Sequence, residues 1–140
     1  MNRMMRMLSV VACAAALTAS CSKANDPVTT TSAMRVTAID LGRSLAADKS
    51  IADKALEFRP SDTIYLSVQT DGASPKTTLQ TRWTYQDGQV VKELSETIAP
   101  TGAAHTEFHI QKADGWPAGK YSVTVSLDGA AAGGKDFVVK

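Results

Sequence analysis

The chain has 140 residues, 15 basic and 14 acidic, with a formal charge of +1; 44% are hydrophobic and only 6% aromatic. So balanced a charge supplies no field to draw in nucleic acid or anionic lipid. Two cysteines are too few for a disulfide-built scaffold, and the length suits one domain with one core.

Residues 1–6 carry Arg3 and Arg6, and residues 7–19 follow without a charge. A positive start before a short apolar run is the layout of an export signal. The run falls short of the ~20 apolar residues of a spanning helix, and Lys23 and Asp26 end it. Small residues then lead into a cysteine, in Leu17-Thr18-Ala19-Ser20-Cys21.

This segment resembles the bacterial lipoprotein signal. The resemblance implies cleavage after Ser20, so that residues 1–20 are the signal peptide, and lipid on Cys21; Cys13 has too little apolar sequence before it. Two or three acyl chains make a stable anchor where one does not. Ser22 follows the cysteine, which by the enterobacterial sorting rule implies the outer membrane, facing the periplasm. Cleavage removes Cys13, Arg3 and Arg6. The mature chain then holds one more acid than base, and its lone cysteine carries lipid rather than a disulfide.

Residues 22–33 read SKANDPVTTTSA, polar and without apolar period. With Cys21 they make a lipidated tether that reaches roughly 40 Å when extended. Residues 34–140 form the domain. A first strand is expected over 34–41. Residues 43–57 favour helix by propensity, yet Leu45, Ile51, Ala52 and Leu56 make no clean helical stripe; they read as an irregular or edge-strand excursion, with a short helix as the alternative. Residues 62–70 alternate, with Ile64, Leu66 and Val68 on one face. Residues 78–86 alternate again, with Leu79, Thr81, Trp83 and Tyr85 together. Asp87-Gly88 predicts a tight hairpin turn of two residues into a return strand over 90–98. Residues 104–111 put Thr106, Phe108 and Ile110 on one side. Residues 120–127 turn Tyr121, Val123, Val125 and Leu127 inward, Asp128-Gly129 offers another tight turn, and 135–139 close the chain. About seven strands without a confident helix predict an all-β, antiparallel sandwich.

Gly119-Lys120-Tyr121-Ser122-Val123 looks like the start of strand F in an immunoglobulin-like sandwich. By that resemblance Tyr121 is the corner tyrosine, Val123 takes the place of the second cysteine, and Trp83 that of the core tryptophan. The first-cysteine position falls on Leu66 or Val68. The chain resembles small Ig-like bacterial lipoproteins in which aliphatic contacts replace the bridge.

His105, Glu107 and His109 stand at i, i+2 and i+4 and so share one strand face. Imidazole and carboxylate are ordinary metal ligands, but the two histidines are about 13 Å apart on a straight strand, and a solvated sheet face is the plainer reading. No nucleophile elbow or phosphate loop occurs, so no catalytic residue and no cofactor is assigned. Trp116 and Pro117, in a loop of turn formers, are candidate partner contacts; alternatively Trp116 plugs the end of the core. These readings describe a lipid-anchored, non-enzymatic binding or accessory module contacting an envelope protein or glycan. A structural spacer or assembly component is the alternative, as is a weak metal-binding lipoprotein.

Overall fold

A computed structural model describes residues 33–140; the expected signal peptide, Cys21 and nearly all of the tether lie outside them. Nine strands and no helix are found among the described residues, against about seven strands expected: β1 (Arg35–Leu45), β2 (Ile51–Lys54), β3 (Glu57–Phe58), β4 (Ile64–Asp71), β5 (Thr77–Tyr85), β6 (Gln89–Ile98), β7 (Ala104–Ile110), β8 (Gly119–Leu127) and β9 (Ala130–Val139). They form two sheets, ordered β2-β1-β4-β7 and β3-β9-β8-β5-β6.

The core follows from the period of two. On β4, Ile64, Leu66 and Val68 are fully buried; on β5, Leu79, Thr81 and Trp83; on β8, Tyr121, Val123 and Val125. These alternate residues meet between the sheets with Phe58, Phe108, Ile110, Phe137 and Val139 in one apolar cluster. Thr81 is tolerated inside because the Trp83 Nε1–H donates to its hydroxyl at 3.2 Å.

The ambiguous stretch 43–57 is edge structure, not helix. β1 runs four residues past its expected end, turns through residues 46–50, and returns as β2 with a bulged register, Gly42 opposite Lys54 and Leu45 opposite Ile51. Gly42 is required there: a side chain on it would collide with the Asp53 carbonyl and Ile51. Phe58 then drops into the core. β3 pairs in parallel with β9, Glu57 opposite Val138 and Phe58 opposite Val139, a short parallel pairing in an otherwise antiparallel sandwich among the described residues.

Of the two expected tight turns, Asp128-Gly129 is a two-residue loop with φ of 49° and 85°, the positive pair that a type I′ turn needs. The Asp128 carboxylate also accepts from the Thr78 N–H (2.8 Å) and the Thr77 hydroxyl (3.1 Å), tying the turn to β5. The other turn is a correction. β5 ends at Tyr85 and β6 begins at Gln89, so the loop has three residues, with positive φ at Gln86 (51°) and Gly88 (103°). A bulge follows, since Trp83 faces Lys92 while Thr84 faces Val90.

Candidate functional site

The loop between β7 and β8 closes one end of the sandwich. Its turn brings the Gly115 N–H to the Lys112 carbonyl at 3.0 Å, and the Trp116 N–H then reaches the Pro60 carbonyl at 2.8 Å. The Trp116 indole Nε1–H donates to the Asp62 carbonyl at 3.1 Å, and the ring is 5% exposed. Of the pair expected to touch a partner, Pro117 is therefore exposed and Trp116 is not. The indole plugs the core end, with both its donors satisfied by the segment that enters β4.

Tyr121 lies beneath that plug. Its hydroxyl donates to the Pro117 carbonyl at 2.7 Å, four residues back along the chain. Its ring stacks on Phe137 (5.3 Å, 13°), lies 4.7 Å from Tyr85, and receives Trp116 edge-on at 6.2 Å. Burial raises the Tyr121 phenol above its ordinary pKa, and Tyr85 pushes the same way, so the hydroxyl stays a donor at neutral pH. Tyr121→Phe is expected to lose about 1 kcal/mol, the net worth of one such bond, with an unchanged native circular dichroism spectrum. A thermal melt lowered by about 4–8 °C is the corresponding readout.

Asp62, which sequence reading did not single out, joins this end to the β3 turn. Its carboxylate accepts from the Arg59 N–H at 2.9 Å and from Arg43 Nε at 3.3 Å. Arg43 also donates to the Glu57 carbonyl and lies 5.6 Å from the Phe58 ring centroid. The only sequence signal for Asp62 was its place in the turn-forming Arg59-Pro60-Ser61-Asp62.

The three candidate metal ligands share the outer face of β7, and each has a hydrogen-bond partner there. His105 Nδ1 lies 3.2 Å from the Ser67 hydroxyl, and His109 Nδ1 lies 3.3 Å from Glu107 Oε2. His109 also packs 5.6 Å from the Tyr65 ring. Among the described residues no three histidine, cysteine or acidic side chains are placed to hold one ion. Ser67 beside His105 pairs a hydroxyl with an imidazole, as nucleophilic catalysis requires. Ser67 is only 3% exposed, however, and this bond fastens β4 to β7. A groove of about 440 Å³ separates β6 from β7, lined by Val91, Lys92, His109, Ile110, Lys112 and Trp116.

The corner geometry and the strand order identify the architecture. No protein-family model matches the chain, and no curated protein matches it in sequence. An immunoglobulin-like protein from Pseudomonas aeruginosa superposes with a TM-score of 0.52 at 14% identity, over 79% of this chain and 98% of that one. The chain folds as an immunoglobulin-like sandwich. β1-β4-β7 hold the places of strands A, B and E, and β6-β5-β8-β9 those of C′, C, F and G. In this frame Tyr121 is the corner tyrosine and Trp83 the strand C tryptophan. Leu66, Val68 and Val123, at the positions of the missing bridge, lie in the same core cluster. An alkylpurine DNA glycosylase from Pseudomonas fluorescens, solved bound to DNA containing an abasic site analogue, also matches. Its TM-score is 0.51 at 16% identity, over 76% of this chain and 30% of that one, so the present chain spans under a third of that enzyme. At these identities the likeness is one of fold.

Proposed function

We propose that the chain is a lipid-anchored, non-enzymatic binding or accessory module of the bacterial cell envelope. Cys21 carries the lipid, residues 22–33 tether the sandwich, and the outer membrane, facing the periplasm, is the destination. The observation that carries this reading is the run Leu17-Thr18-Ala19-Ser20-Cys21 at the end of an uncharged stretch behind Arg3 and Arg6. The domain fits such a life: it has no cysteine among the described residues, so its stability comes from packing and not from the redox state of the compartment.

A binding role is supported by what the sandwich offers. Its loops and edge strands present backbone and side chains to a protein or glycan, while Ser67, the serine hydrogen-bonded to His105, is buried. The DNA bound by the glycosylase is not carried over, because this chain's near-neutral charge gives little purchase on phosphates.

The anchor is tested by metabolic labelling with a clickable fatty acid, followed by membrane fractionation. Wild type is expected to take label and sediment with membranes. Cys21→Ala is expected to take none. A wild type that stays unlabelled, or a Cys21→Ala chain labelled as strongly as wild type, refutes lipid attachment at this residue.

A further inference from the structure

β6 is the longest exposed edge of the molecule, ten residues paired among the described residues with β5 alone. An open edge of this length invites any extended chain to add to it. The faces of β6 are fixed by its partners. Lys92 stands opposite Trp83, Leu94 opposite Thr81, Glu96 opposite Leu79 and Ile98 opposite Thr77. All four partners on β5 are buried, so Lys92 and Glu96 lie on the core-facing side of the sheet. Both remain exposed, as they lie on the edge strand of their sheet, and Lys92 lines the groove toward His109 and Ile110 of β7.

A charge on the inner face of an edge strand ordinarily blocks pairing, because an incoming strand would cover it unmatched. One strand matches it: β6 itself, run antiparallel about Leu94. A two-fold axis through Leu94 sets Leu94 against its own copy, Lys92 against Glu96 of the second copy, and Glu96 against that copy's Lys92. Glu93 then faces Ser95, and within its own sheet it is already neighboured by Arg82 of β5 at 3.5 Å. Directly opposed residues bring their Cβ atoms within about 5.5 Å, close enough for both Lys–Glu pairs to form. A two-fold that keeps both inner faces on one side allows only shifts by an even sum. The neighbouring shifts set Glu93 against Glu93 or Ser95 against Ser95 and leave Lys92 and Glu96 unmatched.

We infer that a second copy of this chain docks along β6, antiparallel about Leu94, joining the two five-stranded sheets into one continuous sheet sealed by two Lys92–Glu96 pairs. The inward charges then act as a filter: they exclude other strands and admit this one. The bulge beside Val91 twists the strand end away, which confines the seam to residues 92–96. The inference stands on β6 alone and is independent of the anchor.

The test is sedimentation equilibrium of the full chain in density-matched detergent across a concentration series, with circular dichroism to verify folding. Wild type is expected to dimerise. Lys92→Glu and Glu96→Lys, both at exposed side chains, are each expected to weaken the dimer about tenfold or more, because like charges then oppose each other twice. The double exchange K92E/E96K restores opposite charge across the seam and is expected to recover most of the affinity. Register is read by oxidation. Leu94→Cys, self-opposed at the axis, is expected to give a reducible dimer, and Thr97→Cys, whose copies lie about 20 Å apart in this register, is not. A monomeric wild type, a folded double exchange as weak as the single variants, or equal cross-linking at positions 94 and 97 overturns the proposal.

Discussion

Trp83→Ala is expected to cost about 3–5 kcal/mol, the range for emptying a buried tryptophan site. Trp83 is fully buried, meets Phe137 edge-on at 5.9 Å, and sits in strand C where both sheets press on it. Its loss acts twice. A cavity opens between the sheets, and the buried Thr81 hydroxyl loses the N–H that it accepts from. Domains of this size are stable by only about 5–15 kcal/mol, and the described residues hold no cysteine that could bridge the unfolded domain. The melting temperature should therefore fall by about 15 °C or more, or the cooperative transition should vanish. Urea unfolding followed by far-ultraviolet circular dichroism measures this. A loss under about 1 kcal/mol would mean that the sheets close over the vacancy and that Trp83 is not the centre of the core. Trp83→Phe keeps much of the apolar volume and should lose distinctly less.

The importance of Trp83 was legible because it rests on strictly local pattern. Alternation on residues 78–86 fixes which side chains turn inward, and period two survives wherever a strand is covered on one face. β6 shows where that signal fails. Lys92 and Glu96 lie on the inner face, so its hydrophobic alternation is broken, although the strand pairs with β5 at both ends and on either side of the Val91 bulge. Residues 43–57 were harder for a different reason. Their alanine, leucine and lysine content favours helix, but the partners that decide the matter are remote. Phe58 pairs with Val139, and Arg43 reaches the Asp62 carboxylate and the Glu57 carbonyl. Parallel pairing of two residues across some eighty positions leaves no periodic trace in either segment. The Asp87-Gly88 turn was seen and its length was not, because the bulge at Val91 absorbs one residue of the return strand. The site was legible only in part. The shared face of His105, Glu107 and His109 follows from spacing, whereas their engagement with Ser67 and with each other depends on β4 lying alongside.

Trp116→Ala carries the second large effect, and it separates a core plug from a contact residue. The indole closes the end of the sandwich above Tyr121, and its Nε1–H satisfies the Asp62 carbonyl fifty-four residues upstream. Removing it exposes the Tyr121 ring, leaves the backbone N–H at position 116 as the remaining bond of this residue to the entry of β4, and should cost about 3 kcal/mol. Pro117→Ala is the matched control. Its ring is exposed, and the carbonyl that accepts from Tyr121 is backbone and survives the change. It should move stability by no more than about 0.5 kcal/mol, as surface substitutions do. Thermal and urea melts of the two variants decide the matter. A Trp116→Ala domain as stable as wild type would return the indole to the list of contact residues. If instead Trp116→Ala is strongly destabilised and any loss of partner capture disappears at temperatures well below its melt, the loop contributes to binding only by keeping the sandwich closed. Pro117 and the loop around it would then be the surface at this end for a partner to touch.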